Sequence, residues 1–100
     1  MEINALLMDY RDNVVTCVNE VAAGEVVAYR KGNEILTITA LEDIPFCHKI
    51  TLIDIAKGGE IIKYGESLGQ TSEFIAAGHW VAHHNLFSVP REYDREMIPT

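Results

Sequence analysis

Apolar residues recur along this 100-residue chain with a period of two more often than with the helical period of 3.6. The run at 34–40 (EILTITA) alternates two sets of mainly β-branched and aliphatic residues, as a strand with two different faces does. A similar alternation holds at 48–55 (HKITLIDI), and a compact link, Lys31-Gly32-Asn33, between two strand-like runs predicts a hairpin. Shorter strand-like runs lie at 13–18, 60–64 and 80–84. The pattern predicts a mostly β fold.

Helical signals are weak. Only the segment 72–77 offers one or two helical turns, which Gly78 would end as a C-terminal cap. After Asn85 the chain leaves the strand pattern and enters a mixed-charge run. We therefore expect at most one or two short helices, a folded domain over 1–88 and a C-terminal tail over 89–100.

A short pattern occurs three times, at 21–27, 55–61 and 75–81. Each copy has an apolar residue, Ala, any residue, Gly, two further residues and a β-branched residue. The Gly allows a positive φ, which turns the chain just before a strand. Because the copies are unevenly spaced, they do not form a regular repeat array. They predict three similar turns that lead into strands of one compact assembly.

Composition and charge exclude several classes of protein. Fifteen acidic residues against eight basic ones give a net charge of −7, which argues against nucleic-acid binding. No apolar run approaches the roughly 20 residues that span a membrane, and the N-terminus lacks the features of a signal peptide. We read Cys17 and Cys47 as reduced thiols and expect a cytoplasmic protein. A single thin core would also gain from burying a face against a partner, either a larger subunit or a second copy.

Four segments, taken together and in order, carry a family resemblance. They are 44–50 (IPFCHKI), 52–58 (LIDIAKG), 62–65 (IKYG), and 75–78 (IAAG) through 84–86 (HNL). With these motifs the chain resembles, over roughly residues 12–88, the N-terminal SAF-type (antifreeze-like, β-clip) domain of the altronate and galactarate dehydratase family. That family also includes the small alpha subunit of sulfolactate sulfo-lyase. The resemblance implies a compact β-clip-like SAF domain.

The resemblance also implies a hydro-lyase system. In it a much larger catalytic part removes water from a sugar acid, or sulfite from sulfolactate, usually with iron or another divalent metal. Fused family members continue into that part, whereas this chain ends at residue 100. We therefore expect a stand-alone small subunit with no cofactor of its own, and a divalent metal in the large partner subunit.

Two positions depart from the family pattern. Cys47 stands where the family usually has Gly before His-Lys, and a Cys would be strained there if the position needs a positive φ. The last strand often reads His-x-His-x-His-Asn, but here Trp80 and Ala82 replace the first two histidines. This weakens the case for a metal site in that row.

A zinc site made from His79, His83 and His84 is not expected either. Three histidines are a frequent catalytic zinc set, but on a strand His79 and His83 share one face while His84 points to the other. No cysteine or carboxylate stands nearby with ligand spacing. We predict no metal in this chain. We also read both cysteines as packed side chains, and Phe74 and Trp80 as core or interface hydrophobes.

The resemblance directs attention to residues suited to a sugar acid. A lysine offers a point charge to a carboxylate, a histidine donates or accepts near neutral pH, and a tyrosine hydroxyl suits a hydroxyl-rich anion. Since a chain of net charge −7 repels anions at long range, any docking surface needs a local positive island, for which His48, Lys49 and Lys63 are the best candidates. The alternative is that these are solvated or half-buried surface residues. The candidate substrate-binding residues are His48, Lys49, Lys63, Tyr64, His84 and Asn85.

No complete set of acid, base and Lewis acid is evident in the chain. We therefore expect the non-catalytic or partial-site subunit of a carbon–oxygen lyase, an accessory part that closes or shapes the active site of a large subunit. Two alternatives stay open: the alpha subunit of a (2R)-sulfolactate sulfo-lyase, and a free-standing module that binds a carboxylated sugar without catalysis. A co-purifying large polypeptide would favour a subunit, and ligand binding by the isolated chain would favour the module.

Overall fold

The computed structural model describes residues 2–82 and 84–87, and all regular structure in these residues is β. They contain no helix, and so none long and apolar enough to cross a membrane. The predicted mostly β fold is confirmed. The strands are β1 (Ala5–Leu6), β2 (Val14–Cys17), β3 (Val26–Lys31), β4 (Glu34–Thr39), β5 (Lys49–Thr51), β6 (Glu60–Lys63), β7 (Glu66–Thr71), β8 (Trp80–Val81) and β9 (Leu86–Phe87).

A four-stranded antiparallel sheet, in the order β1-β2-β5-β8, lies at the centre of the domain. Successive side chains of a strand alternate between its faces. Val15 and Ile50, which pair directly, therefore belong to one apolar cluster, while Val14 and Val81 belong to a second. The predicted hairpin β3–β4 packs with the first cluster, and the sheet β6-β7-β9 packs with the second.

The repeated turns each begin at an apolar residue that forms an isolated β-bridge. Val21 bridges to Ile44, and Ile55 bridges to Ile75, so the turns associate in two pairs. The residue three positions after each bridge residue donates its backbone N–H to a carbonyl. That carbonyl belongs to the last residue of a strand or to the residue that follows the strand. These bonds join Gly24 to Ala40 (2.7 Å), Cys47 to Cys17 (3.0 Å), Gly58 to Thr71 (2.9 Å) and Gly78 to Thr51 (2.9 Å).

There are thus four such turns in the described residues, one more than the sequence pattern reveals. The fourth lies at 44–47 and escapes the pattern because Cys47 occupies the place of the Gly. Cys47 has φ 64°, in the same left-handed region as Gly24 and Gly78. Cys47 therefore has the positive φ at which a residue with a side chain is strained.

We expect the substitution Cys47→Gly to stabilise the domain by about 0.5–1 kcal/mol. A side chain in the left-handed region costs about 1–2 kcal/mol, and the larger entropy of Gly in the unfolded chain offsets about half of this gain. The measurement is the urea midpoint of unfolding. Cys47→Ala is the matched control, because it removes the thiol but keeps the Cβ. A glycine variant less stable than the alanine variant would contradict the strain at Cys47.

The structure differs from the predicted elements in two segments around the turns. The segment 72–77 is not helical, because it forms a bend, the bridge at Ile75 and a turn. The strand predicted over 48–55 ends at Thr51, because Leu52 and Ile53 bend and Ile55 joins the next turn.

Strand β7 (ESLGQT) was not predicted, because polar residues and a Gly conceal its strand character. Leu86 and Phe87 do not leave the sheet as predicted, since they form β9 and pair with β7. The predicted tail over 89–100 lies outside the described residues.

Candidate functional site

The candidate residues lie where strands begin or end. His48 and Lys49 follow the turn that contains Cys47 and open β5. Lys63 ends β6, and Tyr64 lies in the tight turn to β7. His84 and Asn85 lie in the turn between β8 and β9.

The pairing register separates these residues onto two faces of the central sheet. Lys49 lies directly opposite Thr16 on β2 and Val81 on β8. Trp80 lies opposite Ile50, which faces the other way. Lys49 therefore shares the face of the second apolar cluster, whereas Trp80, to which His48 is hydrogen-bonded, packs on the first.

Lys49 and Lys63 lie close enough to interact electrostatically. Burial, and then the charge of Lys63, lowers the pKa of Lys49 below its usual value. Both side chains are half-buried, and Lys63 lies over the Tyr64 ring with its ammonium 5.2 Å from the ring centroid. Among residues 2–82 and 84–87, neither lysine has a carboxylate within ion-pair distance. These residues thus hold two cations close together without a carboxylate to balance them.

The turn that carries Tyr64 is fixed by a buried aspartate. Asp12 is 7% exposed, and its carboxylate accepts hydrogen bonds from the backbone N–H groups of Asp9 (3.0 Å), Tyr64 (3.0 Å) and Gly65 (2.8 Å). Tyr64 has φ 58°, a conformation costly for a residue with a side chain. Asp12 thereby holds the turn in place and leaves the Tyr64 side chain 61% exposed.

His48 and His84 both contact the Trp80 ring. The Trp80 indole N–H donates to His48 Nδ1 at 2.9 Å, and the two rings meet edge to face at 5.3 Å. The His84 ring lies 4.8 Å from the Trp80 ring, tilted by 53°. Trp80 is therefore the residue that brings the two predicted histidines together.

The side chain of Asn85 is occupied by the backbone of its own turn. It is 4% exposed, its Oδ1 accepts from the Ala82 N–H at 3.0 Å, and its Nδ2 donates to the Trp80 carbonyl at 2.8 Å. Asn85 thus holds the end of β8 and the turn that carries His84.

An open cleft of about 410 Å³ lies beside His84. His79 Nδ1 lies 2.7 Å from Glu42 Oε2, which also accepts the backbone N–H of Trp80 at 3.1 Å. With two glutamates in its wall, the cleft is a poor place for an anionic sugar acid. It is lined by Glu42, Glu73, Phe74, Ile75, Ala76, His79, His84 and Asn85.

Possible metal ligands and the two thiols lie within the described part of the chain. Within it, no group of three or more histidine, cysteine, aspartate or glutamate side chains is placed to hold a metal ion. His83 lies outside the described residues. Burial raises the pKa of the Cys17 thiol to about 11, which keeps it protonated and unreactive at neutral pH. Cys47 is free and exposed, so the prediction that both cysteines are packed side chains is wrong for Cys47.

The sequence model of the family described as Altronate/galactarate dehydratase SAF domain matches residues 3–89 of the chain. The chain belongs to this family. The resemblance read from the four motifs is thus confirmed, and the match extends to residues before the first motif. The SAF domain described here includes all of β1–β9.

Two curated enzymes of Escherichia coli K12 are similar to this SAF domain. Altronate dehydratase is 40% identical over 74 residues, which is 74% of this chain and 14% of the enzyme. Galactarate dehydratase (L-threo-forming) is 37% identical over 70 residues, which is 70% of this chain and 12% of the enzyme. The chain therefore spans only a small part of the length of the relatives it matches.

Two residues that organise the site were missed from the sequence alone. Trp80 was read as a core or interface hydrophobe, and nothing in the local sequence reveals that its N–H reaches His48, 32 residues away. Asp12 lies in the segment DYRD, where aspartates often cap turns, but the turn it holds lies 52 residues away at Tyr64.

Proposed function

We propose that this SAF domain is the small accessory part of a hydro-lyase that dehydrates a sugar acid of the altronate or galactarate type. In this proposal it works beside a much larger catalytic part, whose active site it closes or shapes. A divalent metal belongs to that larger part. Family membership supports the reaction class, and the small share of each relative that the domain covers supports the need for a larger catalytic part.

The pair of Lys49 and Lys63 is the single observation that carries the site assignment. In a chain of net charge −7 both lysines are half-buried, and burial first, then the charge of Lys63, lowers the pKa of Lys49. An anion beside them would oppose this shift, because a nearby opposite charge favours the charged form of Lys49. A sugar-acid carboxylate is such an anion, and the Tyr64 hydroxyl next to Lys63 suits the neighbouring sugar hydroxyls.

The accessory role follows from what these residues are able to do. Two lysines and a tyrosine at strand ends bind and orient an anion, but a dehydration also needs a base at one carbon and an acid or metal at the leaving hydroxyl. We therefore assign binding to this domain and bond breaking to the larger part. In this proposal His48 and His84 offer a second polar surface beside Trp80, and the buried Asn85 supports it by holding the turn that carries His84.

The test is reconstitution with the large dehydratase-type polypeptide from the same genome. We expect the isolated domain, supplied with Fe²⁺ or Mn²⁺, to show no dehydration of altronate or galactarate. The mixture should dehydrate one of these acids, and the two polypeptides should co-purify.

Three outcomes would contradict the proposal. Turnover by the isolated domain, lost in His48→Ala, would make it an enzyme in its own right. Release of sulfite from sulfolactate by the mixture would assign it to the sulfo-lyase branch. Tight galactarate binding by the isolated domain, without any association with the large polypeptide, would make it a free-standing binding module.

A further inference from the structure

We propose that Trp80 is a positioning residue that fixes His48 in the tautomer with its proton on Nε2. In this state His48 donates a hydrogen bond to an oxygen of the bound sugar acid and does not take a proton from it. The inference rests on the proposed function for the identity of the ligand, while the state of the ring follows from the geometry alone.

The direction of the Trp80–His48 hydrogen bond is set by chemistry. An indole N–H is a donor only, so the imidazole nitrogen 2.9 Å away must be an acceptor. That nitrogen is Nδ1, and a neutral imidazole with an unprotonated Nδ1 carries its proton on Nε2. Protonation of Nδ1 would leave the indole N–H without its partner.

Trp80 is itself held firmly enough to impose this choice. Its backbone N–H donates to Glu42 Oε2 at 3.1 Å, and its carbonyl accepts from Asn85 Nδ2 at 2.8 Å. Its ring packs against the first apolar cluster, with His84 on one side. The indole is thus anchored through its backbone and its ring.

The second nitrogen of His48 is left for a ligand. Within residues 2–82 and 84–87, the His48 ring is hydrogen-bonded to Trp80 through Nδ1. Nε2–H is a donor on a half-buried side chain that directly precedes β5 and lies on the opposite face of the strand from Lys49. A carboxylate or hydroxyl oxygen is the acceptor that such a donor matches. Because Nδ1 is already occupied, neutral His48 has no free lone pair with which to act as a base.

The state of the ring is tested by ¹⁵N NMR of the domain at a pH where His48 is neutral. We expect Nδ1 to show the shift of an unprotonated nitrogen and Nε2 that of a protonated one. A through-hydrogen-bond coupling between Trp80 Nε1 and His48 Nδ1 should also be present, and it needs no mutation. In Trp80→Phe, which keeps an aromatic ring but lacks the donor, His48 should become a mixture of both tautomers. A ring protonated on Nδ1 in the unmodified domain would overturn the inference.

The role of the ring is tested in the assembled dehydratase with galactarate as substrate. Gln places an amide N–H near the position of Nε2 but cannot take up a proton, so it distinguishes a donor from a base. We expect His48→Gln to keep kcat/KM within about tenfold of wild type and His48→Ala to lose at least about tenfold more, as for one hydrogen bond to a charged group. His48→Gln as inactive as His48→Ala, or His48→Ala at the wild-type rate, would overturn the proposal.

The two hypotheses fail in different experiments. A wrong tautomer overturns the role of Trp80 whatever the assembled enzyme does. A dehydratase that is indifferent to removal of the whole domain refutes the proposed function and leaves the ¹⁵N spectrum unchanged.

Discussion

Replacing both Lys49 and Lys63 with alanine is expected to lower the kcat/KM of the assembled dehydratase by at least about 100-fold. Each lysine would lose a hydrogen bond to a charged group, which contributes about 1.5–3 kcal/mol, and about 1.4 kcal/mol corresponds to a tenfold change. Each single variant should lose about tenfold or more. If the lysines hold the carboxylate equally in the ground and transition states, the loss appears as a raised KM. If the lysines bind the carboxylate more strongly in the transition state than in the ground state, the loss appears as a lowered kcat.

For Lys49→Ala, stability should not fall with activity. Because the folded-state pKa of Lys49 is lowered, the folded domain binds this proton less well than the unfolded chain does. The ammonium therefore opposes folding at neutral pH, and its removal leaves the free energy of unfolding unchanged or higher. A urea titration of Lys49→Ala checks this directly.

The matched control is the double variant Lys31→Ala/Lys57→Ala. It changes the net charge by the same amount, but both lysines are exposed, Lys31 in the hairpin and Lys57 in a turn. It should turn over galactarate like the wild type. An equal loss in the control would assign the effect to overall charge. Wild-type turnover by the Lys49/Lys63 double variant would remove this face from the chemistry.

The second large effect is expected for Asp12→Ala, which should lower the free energy of unfolding by about 3 kcal/mol. The substitution takes the acceptor from three backbone N–H groups, and each buried donor left without a partner costs about 1–3 kcal/mol. Two of the three belong to Tyr64 and Gly65, which have positive φ, so the turn beside Lys63 should also lose its conformation. Urea denaturation measures the first effect, and the backbone amide signals of Tyr64 and Gly65 report the second.

Two further variants provide a comparison for the loss of stability in Asp12→Ala. Asp12→Asn keeps one acceptor oxygen and should fall between the wild type and Asp12→Ala. Asp43→Ala, which removes one exposed cap of the Ala23 N–H, should cost about 1 kcal/mol. A loss for Asp12→Ala no larger than that for Asp43→Ala would show that the buried carboxylate is not what holds the turn.

The fold was predictable from the sequence where the alternation of residues along a strand, or a Gly in a turn, determines the local backbone conformation. The alternation at 34–40 locates β4, and the Gly at three turns locates the strands that follow them. Strand β7 was not predictable in this way, because its sequence is polar and its pairing with β6 and β9 determines its conformation. The turn at 44–47 was hidden by Cys47, since a local pattern does not show that a side chain is being held in the left-handed region.

The candidate site was predictable in its parts but not in its arrangement. Family motifs supply His48, Lys49 and Lys63, and in the structure Lys49 lies near enough to Lys63 for that charge to add to burial in lowering its pKa. It also turns His48 to the opposite face, toward Trp80, because side chains alternate along β5. That separation depends on the register between β5 and β8, which no single segment of the sequence encodes.

The most direct test of the account is an experimental structure of the assembled dehydratase with galactarate bound. We predict that the start of β5 and the end of β6 face the active site of the larger part. The ammonium groups of Lys49 and Lys63 should lie within about 3 Å of a substrate carboxylate, as charge-assisted hydrogen bonds require. A substrate enclosed entirely by the larger part, with both lysines facing solvent, would contradict it.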